Sequence, residues 1–389
     1  MDLKYETYIK DTAYGGCGVG TMPDGRVVFI PHTVEGDTVS YRVAEDKKNF
    51  TYGELAEVIT ASDKRGERYC PHLGICGGCT FGHIAAEHQT EIKKNFVLGQ
   101  LKRAGIAHPE PEVLSADFRE FRNRATFRIR DGKIGFFKFK SNDFLPVNDC
   151  PVIKRSIVEK AQALASKISG SHTLYVTENE EGMALGKTYA SVNGLCGFSG
   201  LETEDGVSGL KTIPFATKYG TFHAGFSTFL QGNRYLSGYL QDFVYENSAG
   251  KNALELYCGS GFLTLALAMK CERVTAAEIA KESIALARRA ELKNVNWMAV
   301  SSETLIGRLR EKYDMVVVDP PRTGLDKSVT DFIKNSGAKK VVYISCSPDT
   351  LARDIKRLSE KYRVAKLTVA DMFPGSYHVE SAVLLKLYN

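Results

Sequence analysis

From residue 253 onward, short apolar runs alternate with stretches in which apolar residues recur every three or four positions. The runs predict strands at 253–258, 273–278, 296–300, 314–319 and 340–346, and the periodic stretches predict helices at 262–270, 281–293, 303–312, 328–336 and 350–361. A terminal pair of apolar runs follows at 363–370 and 381–388. Alternation of this kind is that of an α/β, doubly wound parallel sheet. The N-terminal part reads differently. Short β-rich runs at 27–30, 38–43 and 54–60, with Asp24-Gly25 as a turn, have the spacing of a small β-barrel. A helical pattern covers 84–104, with Lys93 and Lys94 on its polar side and Pro109 and Pro111 beyond its end. Residues 113–222 alternate strand-like runs with one amphipathic helix at 157–168, as a central α+β domain would. The expected segments are therefore 1–60, 61–222 and 223–389.

The chain has 389 residues, enough for two or three domains, and 43% of them are hydrophobic. No run approaches the roughly 20 apolar residues of a membrane span. The first residues lack a signal-peptide pattern, so the cytoplasm is the expected location and no membrane partner is expected. Lys and Arg outnumber Asp and Glu by 51 to 46, too small an excess to announce a polyanion. Its distribution says more. Arg119, Arg122, Arg124, Arg128, Arg130, Lys133, Lys138 and Lys140 are interleaved with Phe121, Phe127, Phe136, Phe137 and Phe139. Basic and aromatic residues so mixed suit a nucleic-acid surface. A plain hairpin, with rings in the core and charges in water, fits too, and both can hold on alternate faces of one strand.

Nine cysteines are an odd count in a chain without a secretion pattern, which favours metal binding or catalysis over disulfides. Cys70-Pro-His-Leu-Gly-Ile-Cys76-Gly-Gly-Cys79 puts three thiols within ten residues, and Cys150-Pro151 follows about 70 residues on. By spacing alone an iron–sulfur cluster and a four-cysteine zinc site fit equally. Gly15-Gly-Cys-Gly-Val-Gly20 is not a phosphate loop, because no helix pattern and no Gly-Lys-Ser/Thr follow it.

The C-terminal segment carries the remaining chemistry. Leu254-Glu-Leu-Tyr-Cys-Gly-Ser-Gly261 runs from a strand into a Gly-x-Gly turn, and Glu278 ends the next strand nineteen residues after Gly259. Such a carboxylate can accept hydrogen bonds from both ribose hydroxyls of an adenosine, with Tyr257 beside the ligand and Gly259 and Gly261 allowing close backbone approach. Glu278 could also be a solvated strand-end charge. Asp319-Pro-Pro-Arg322 ends a later strand, and 341–351 delivers Cys346 to a loop closed by Pro348. Glu380 opens the last strand, so a thiol and a carboxylate could meet. A lone strand cysteine can equally be a small buried hydrophobe, the reading given to Cys17, Cys196, Cys258 and Cys271.

Phe229-Leu-Gln-Gly-Asn233, Glu255-Leu-Tyr-Cys-Gly-Ser-Gly261, Asp319-Pro-Pro-Arg-Thr-Gly324, Ser345-Cys-Ser-Pro-Asp-Thr-Leu-Ala-Arg-Asp354 and Asp371-Met-Phe-Pro with His378-Val-Glu-Ser381 stand in order. On these motifs the chain resembles the S-adenosylmethionine-dependent RNA uracil-5-methyltransferases, in particular members with a TRAM domain and an iron–sulfur cluster. The resemblance implies a class I methyltransferase (Rossmann-like) domain with an antiparallel last strand. It also implies an N-terminal OB-like TRAM β-barrel that holds RNA, and a central domain with a [4Fe–4S] cluster on Cys70, Cys76, Cys79 and Cys150. Family members often have Gln where Thr80 follows the cysteine run here. The helix at 84–106 is expected to pack on the catalytic domain. A radical S-adenosylmethionine enzyme is disfavoured, since its Cys-x3-Cys-x2-Cys triplet differs from the five-residue first gap here.

By the same resemblance Gln231 contacts the cofactor and Phe229 lies close to the target base. Asp319 contacts either the cofactor or the flipped ring. Arg322, standing where amine methyltransferases have an aromatic residue, argues for carbon methylation. Carbon 5 of uracil is a poor nucleophile, so Cys346 is assigned to attack C6 and Glu380 to remove the C5 proton. The uridine must then be turned out of its stack. The expected partner is RNA, ribosomal (23S) rather than transfer RNA, met by a monomer. The alternatives are a tRNA uracil-5-methyltransferase, a cytosine-5 enzyme and a non-enzymatic RNA-binding or folding protein.

Overall fold

The computed structural model describes residues 4–388; the outermost residues of the first and third expected segments, 1–3 and 389, lie outside them. The chain forms two compact units rather than three consecutive segments. One runs through Phe96 and takes in Phe136–Leu145 and Phe373–His378; the other comprises Val97–Gly135, Pro146–Met372 and the chain from Val379.

In the first unit six strands lie in the order Tyr5–Tyr8, Thr38–Asp46, Phe50–Thr60, Val27–Pro31, Cys17–Thr21, Asp11–Thr12. The pairings are antiparallel except that of Val27–Pro31 with Phe50–Thr60. Ile9, Val28, Ile30, Val39 and Tyr41 form its core. A smaller cluster of Val34, Phe81, Ile84 and Phe96 gathers the N-terminal half of the Ala86–Arg103 helix.

The second unit contains an eight-stranded sheet in the order Val295–Ala299, Cys271–Glu278, Gly250–Leu256, Met315–Val318, Lys340–Ser345, Glu380–Leu387, Tyr362–Ala370, Glu112–Leu114. The first five strands are parallel, and Glu380–Leu387 is antiparallel to both neighbours. Its central strands are apolar on both faces, as strands covered by helices on each side must be. Leu254, Leu256, Val316, Val318, Val341 and Tyr343 pack with Val329 and Ile333 of the Lys327–Ser336 helix and Leu351 and Ile355 of the Pro348–Leu358 helix. Val97 and Leu101, from the C-terminal half of Ala86–Arg103, join the same core. Helices Ser237–Asn247 and Phe262–Ala268 pack together, and the latter also lies against Cys271–Glu278. A second sheet is built on Arg124–Arg130, Ser171–Glu178, Ala184–Thr188 and Gly200–Thr203, with the Arg155–Ala165 helix against it.

Several boundaries differ from expectation for local reasons. The strand expected to reach 258 ends at Leu256, because Tyr257 turns to φ 64°. The helix expected over 281–293 ends at Ala287 in a short 3₁₀ turn, Arg288–Ala290, closed by Glu291 at φ 53°. The helix expected over 303–312 stops at Ile306 before Gly307. Ser237–Asn247 was not expected as a helix, and the hairpin Thr212–Thr217/Gly220–Gly225 straddles the boundary expected at 222. Among the described residues no helix is long and apolar enough to cross a membrane.

Candidate active site

Cys346 follows directly on the strand Lys340–Ser345. Ser345 stands opposite Ser381 on the antiparallel neighbour, so the next rung brings Cys346 and Glu380 to the same end of the sheet. On the other side Val318 faces Tyr343 in parallel register, and Asp319 leaves the sheet at that end too.

This crowding governs the charges. Glu380 is only 4% exposed; burial and then the Asp319 carboxylate raise its carboxyl well above the usual range, with Arg322 opposing. Asp319 is pushed up to about 7 by burial. The half-buried Cys346 thiol is pushed up to about 11, first by burial, then by Glu380 and Asp319, again against Arg322. Carboxyls so close cannot all ionise cheaply, so the site holds protons at neutral pH.

Beside it lies a cavity of about 130 Å³. Gln231, Tyr257, Gly259 and Asp319 line it, together with an aromatic wall that includes Phe222, Phe229 and Phe262. The Gln231 side-chain amide donates to Asp319 Oδ2 at 3.4 Å. Two other expected cofactor residues stand just behind this lining. Glu278 Oε2 accepts the Gly259 N–H at 3.2 Å and its Oε1 the Ala280 N–H at 2.9 Å. Gly261, at φ 87°, begins the Phe262–Ala268 helix, where a Cβ would come within 2.7 Å of the Trp297 ring. Cys346 and Glu380 do not line this cavity; they adjoin it through Asp319.

Sequence reasoning gave no role to Glu255, which also lines the cavity. It is 2% exposed, its Oε2 makes no hydrogen bond, and burial chiefly, opposed by the nearby Thr264 hydroxyl and reinforced by Asp319, pushes its carboxyl up to about 8. The available signal was a carboxylate inside the apolar run Ala253-Leu-Glu-Leu256. A buried carboxyl with one oxygen left without a hydrogen bond, lining a cavity, is suited to a cationic group.

A second missed residue is Asp354, fully buried on the helix that starts after Cys346. Its carboxylate accepts from Leu325 N–H at 2.7 Å, Tyr343 O–H at 2.9 Å, Arg353 Nε at 2.9 Å and Arg357 Nη1 at 3.2 Å. Arg353 Nη2 also donates to the Thr323 carbonyl at 2.9 Å, and Thr350 Oγ1 to that of Arg322 at 3.2 Å. Gly324, at φ 72°, leaves room for this, since a Cβ there would approach Arg353 and Asp354 to 2.5 Å. The loop bearing Asp319 and Arg322 is thus clamped to the helix that follows the thiol.

Cys70, Cys76 and Cys79 belong to the first unit and Cys150 to the second, all four half-buried and none in a disulfide. The Gly78 N–H donates to Cys76 Sγ at 3.4 Å. Burial, with Cys70 nearby, raises the Cys76 thiol against that hydrogen bond, a tendency that a bound cation would reverse. The donor chemistry therefore suits a soft metal. Among the described residues, however, no three His, Cys, Asp or Glu side chains converge as a metal-holding group.

Residues 211–388 match the sequence model of the tRNA (Uracil-5-)-methyltransferase family. An uncharacterised RNA methyltransferase of Gloeobacter violaceus is 30% identical, over 97% of this chain and 95% of its own length. A 23S rRNA (uracil(1939)-C(5))-methyltransferase of Methylococcus capsulatus is 28% identical, over 97% and 96%. The crystal structure of the Pyrococcus abyssi tRNA (uracil-54, C5)-methyltransferase, in complex with S-adenosyl-L-homocysteine, superposes with a TM-score of 0.79. It covers 98% of this chain and 100% of that one at 24% identity, a likeness of fold. With the Gloeobacter relative alike end to end and the catalytic half matching the family's sequence model, the chain belongs to the S-adenosylmethionine-dependent RNA uracil-5-methyltransferase family.

Proposed function

We propose that the protein methylates C5 of a specific uridine in RNA through a covalent bond between Cys346 and C6. The observation carrying this reading is the meeting of Cys346 and Glu380 at one end of the sheet beside Asp319 and Arg322. The cavity fits the cofactor's groups: Glu255 offers its unpartnered oxygen to positive charge, Gln231 and Asp319 line the same wall, and Glu278 stands by Gly259 for ribose hydroxyls. S-adenosylmethionine supplies an electrophilic methyl group there.

Cys346 first gives up its proton, and Asp319, pushed only to about 7, is the neighbour best matched to take it. The thiolate bonds to C6, and the electron pair displaced onto C5 and O4 makes C5 the nucleophile for the methyl group. Glu380, which loses its resting proton to solvent once the cofactor's positive charge offsets the Asp319 carboxylate, then accepts the C5 proton; the pair left on C5 expels the thiolate, which retakes its proton from Asp319. A raised carboxyl is the stronger base for that step.

With 5-fluorouridine RNA and the cofactor, the wild type should form an adduct that survives a denaturing gel, because fluorine blocks the last proton removal. Cys346→Ala should form none, while Glu380→Gln should accumulate the adduct on ordinary RNA. Free product released by Glu380→Gln at the wild-type rate would remove Glu380 from this role, and 5-methylcytidine in nucleoside digests would remove uracil. Ribosomal RNA is the proposed substrate, in keeping with the Methylococcus relative. Mapping 5-methyluridine in a deletion strain decides it, a mark lost from transfer RNA instead overturning it.

The remaining parts of the proposal rest on the sequence resemblance: a TRAM-type barrel in the N-terminal sheet that holds RNA, a structural [4Fe–4S] cluster drawing on Cys70, Cys76 and Cys79, and a cytoplasmic monomer. Protein prepared without oxygen should be brown and contain iron and sulfide; colourless protein with zinc would overturn the cluster.

A further inference from the structure

The sheet built on Arg124–Arg130 and Ser171–Glu178 has two unlike faces. Phe127, Ile129, Leu174 and Val176 point to one and are buried, where the Arg155–Ala165 helix covers them with Ile157, Val158, Ala161 and Leu164. The alternate residues point the other way. Register sets Arg130 opposite Ser171, Arg128 opposite Thr173, Thr126 opposite Tyr175 and Arg124 opposite Thr177. Lys133 faces Arg130, and Lys187 faces Tyr175. Five cations, Arg124, Arg128, Arg130, Lys133 and Lys187, thus share this face; Lys187 pairs with Glu202 at 3.0 Å with Glu282 also near it, and Arg128 Nη1 donates to Thr173 Oγ1 at 2.6 Å.

Exposed rings stand on and beside it: Tyr175 is 41% exposed, Tyr189 65% and Phe229 67%. Lys187 Nζ lies 5.9 Å from the centre of the Tyr189 ring and donates to Ser227 Oγ at 3.2 Å. The Arg124 guanidinium is 5.8 Å from the centre of the Phe229 ring. Phe229 itself lines the cavity beside Asp319. The charged, ring-bearing face therefore leads to the mouth of the candidate active site.

We propose that this uncovered sheet face is a platform for an unpaired RNA strand, stacking a base on Tyr175, holding phosphates at Arg128 and Arg130, and guiding the neighbouring nucleotide past Phe229 into the cavity. The proposal rests on the RNA-methylating reading and specifies the form of its substrate. A run of cations along one face fits a polyanion, and flat rings standing clear of the sheet fit bases only when those bases are unpaired. A duplex would offer phosphates but no ring faces.

The test is fluorescence anisotropy with the full chain, a labelled unstructured 12-nucleotide RNA and a 12-base-pair RNA duplex. Tyr175→Ala should weaken strand binding about tenfold, and Tyr175→Phe should bind like the wild type, which also shows that the sheet is intact. Replacing Arg128 and Arg130 with Gln should lower the slope of log affinity against log salt by roughly 1.4. Arg363→Gln, at an exposed position on the other sheet, should change nothing. Unchanged affinity and salt slope in the Tyr175 and arginine variants, or a duplex bound as tightly as the strand with the same dependence on Tyr175, would overturn the platform. Because binding needs no methyl transfer, failure of the catalytic reading shows separately, as absence of product from every RNA. If catalysis stands, Tyr175→Ala should raise the KM for RNA about tenfold at unchanged kcat.

Discussion

The thiol proposed as nucleophile is protonated in the free protein, and the extent of that protonation can be measured without any RNA. Cys346 is raised from 9.0 to about 11. At pH 7.5 two pH units reduce the thiolate fraction about a hundredfold relative to an unperturbed thiol; since the sulfur is only half-buried, screening lowers the expected factor to roughly 10–100. The rate of alkylation by iodoacetamide follows the thiolate fraction. Alkylation at Cys346, followed by peptide mass mapping across pH 7–11, should therefore lag a small-molecule thiol by that factor and rise with a midpoint well above 9. Adding S-adenosylmethionine, whose sulfonium brings positive charge beside Asp319, should speed it, while S-adenosylhomocysteine, with a neutral sulfur, should do so much less. A midpoint at or below 9 in the free protein, or equal acceleration by both ligands, would refute the electrostatic argument.

Three further substitutions probe groups to which the motifs assigned no role. Glu255 is raised from 4.5 to about 8, so the native state binds the extra proton between those values and stability falls as pH rises through that window. Glu255→Gln should remove this slope and leave the variant more stable than the wild type at pH 8.5, by roughly 1–4 kcal/mol after relaxation, while weakening S-adenosylmethionine binding; calorimetric Tm against pH with the same slope in both proteins would refute it. Asp354→Asn breaks a buried charge cluster and should cost about 3 kcal/mol in urea unfolding. Thr350→Val, which removes the side-chain bonds to the Arg322 and Ser347 carbonyls, should keep the stability within about 1–2 kcal/mol yet slow Cys346 alkylation and lower kcat; unchanged alkylation in Thr350→Val would show that the loop is held without those bonds.

The parallel strands and most helices of the second unit were legible because a strand covered on both faces reads as an uninterrupted apolar run, and Met315–Val318 is the clearest case. Ser237–Asn247 was not legible as a helix. Its caps at Leu236 and Ser248 make no side-chain bond, and its sequence opens Ser-Gly-Tyr, without the usual start signal. The division into units was hidden for another reason: chain segments far apart in sequence, such as Phe136–Leu145 and Phe373–His378, enter the first unit, and no local pattern records such a return.

The candidate site divides along the same line between local chemistry and pairing. Cys346, Glu380, Asp319 and the Gly-x-Gly turn could be picked out because each is an unusual residue at a strand end, where an open α/β sheet places its ligands. Their mutual influence could not be read that way, since it depends on register. Only the pairing of Ser345 with Ser381 brings Cys346 and Glu380 together, and only their shared burial with Asp319 turns three ordinary acids into a proton-holding cluster. Glu255 follows from the same cause one strand further in, where Asp319 adds to the rise. The positive charge that relieves this accumulation has two sources: Arg322, held by the Asp354 clamp, and whatever cation enters the cavity. On the proposed mechanism, a thiol kept protonated until that cation arrives would resist alkylation and oxidation between turnovers and would become a nucleophile only when the methyl donor is already in place.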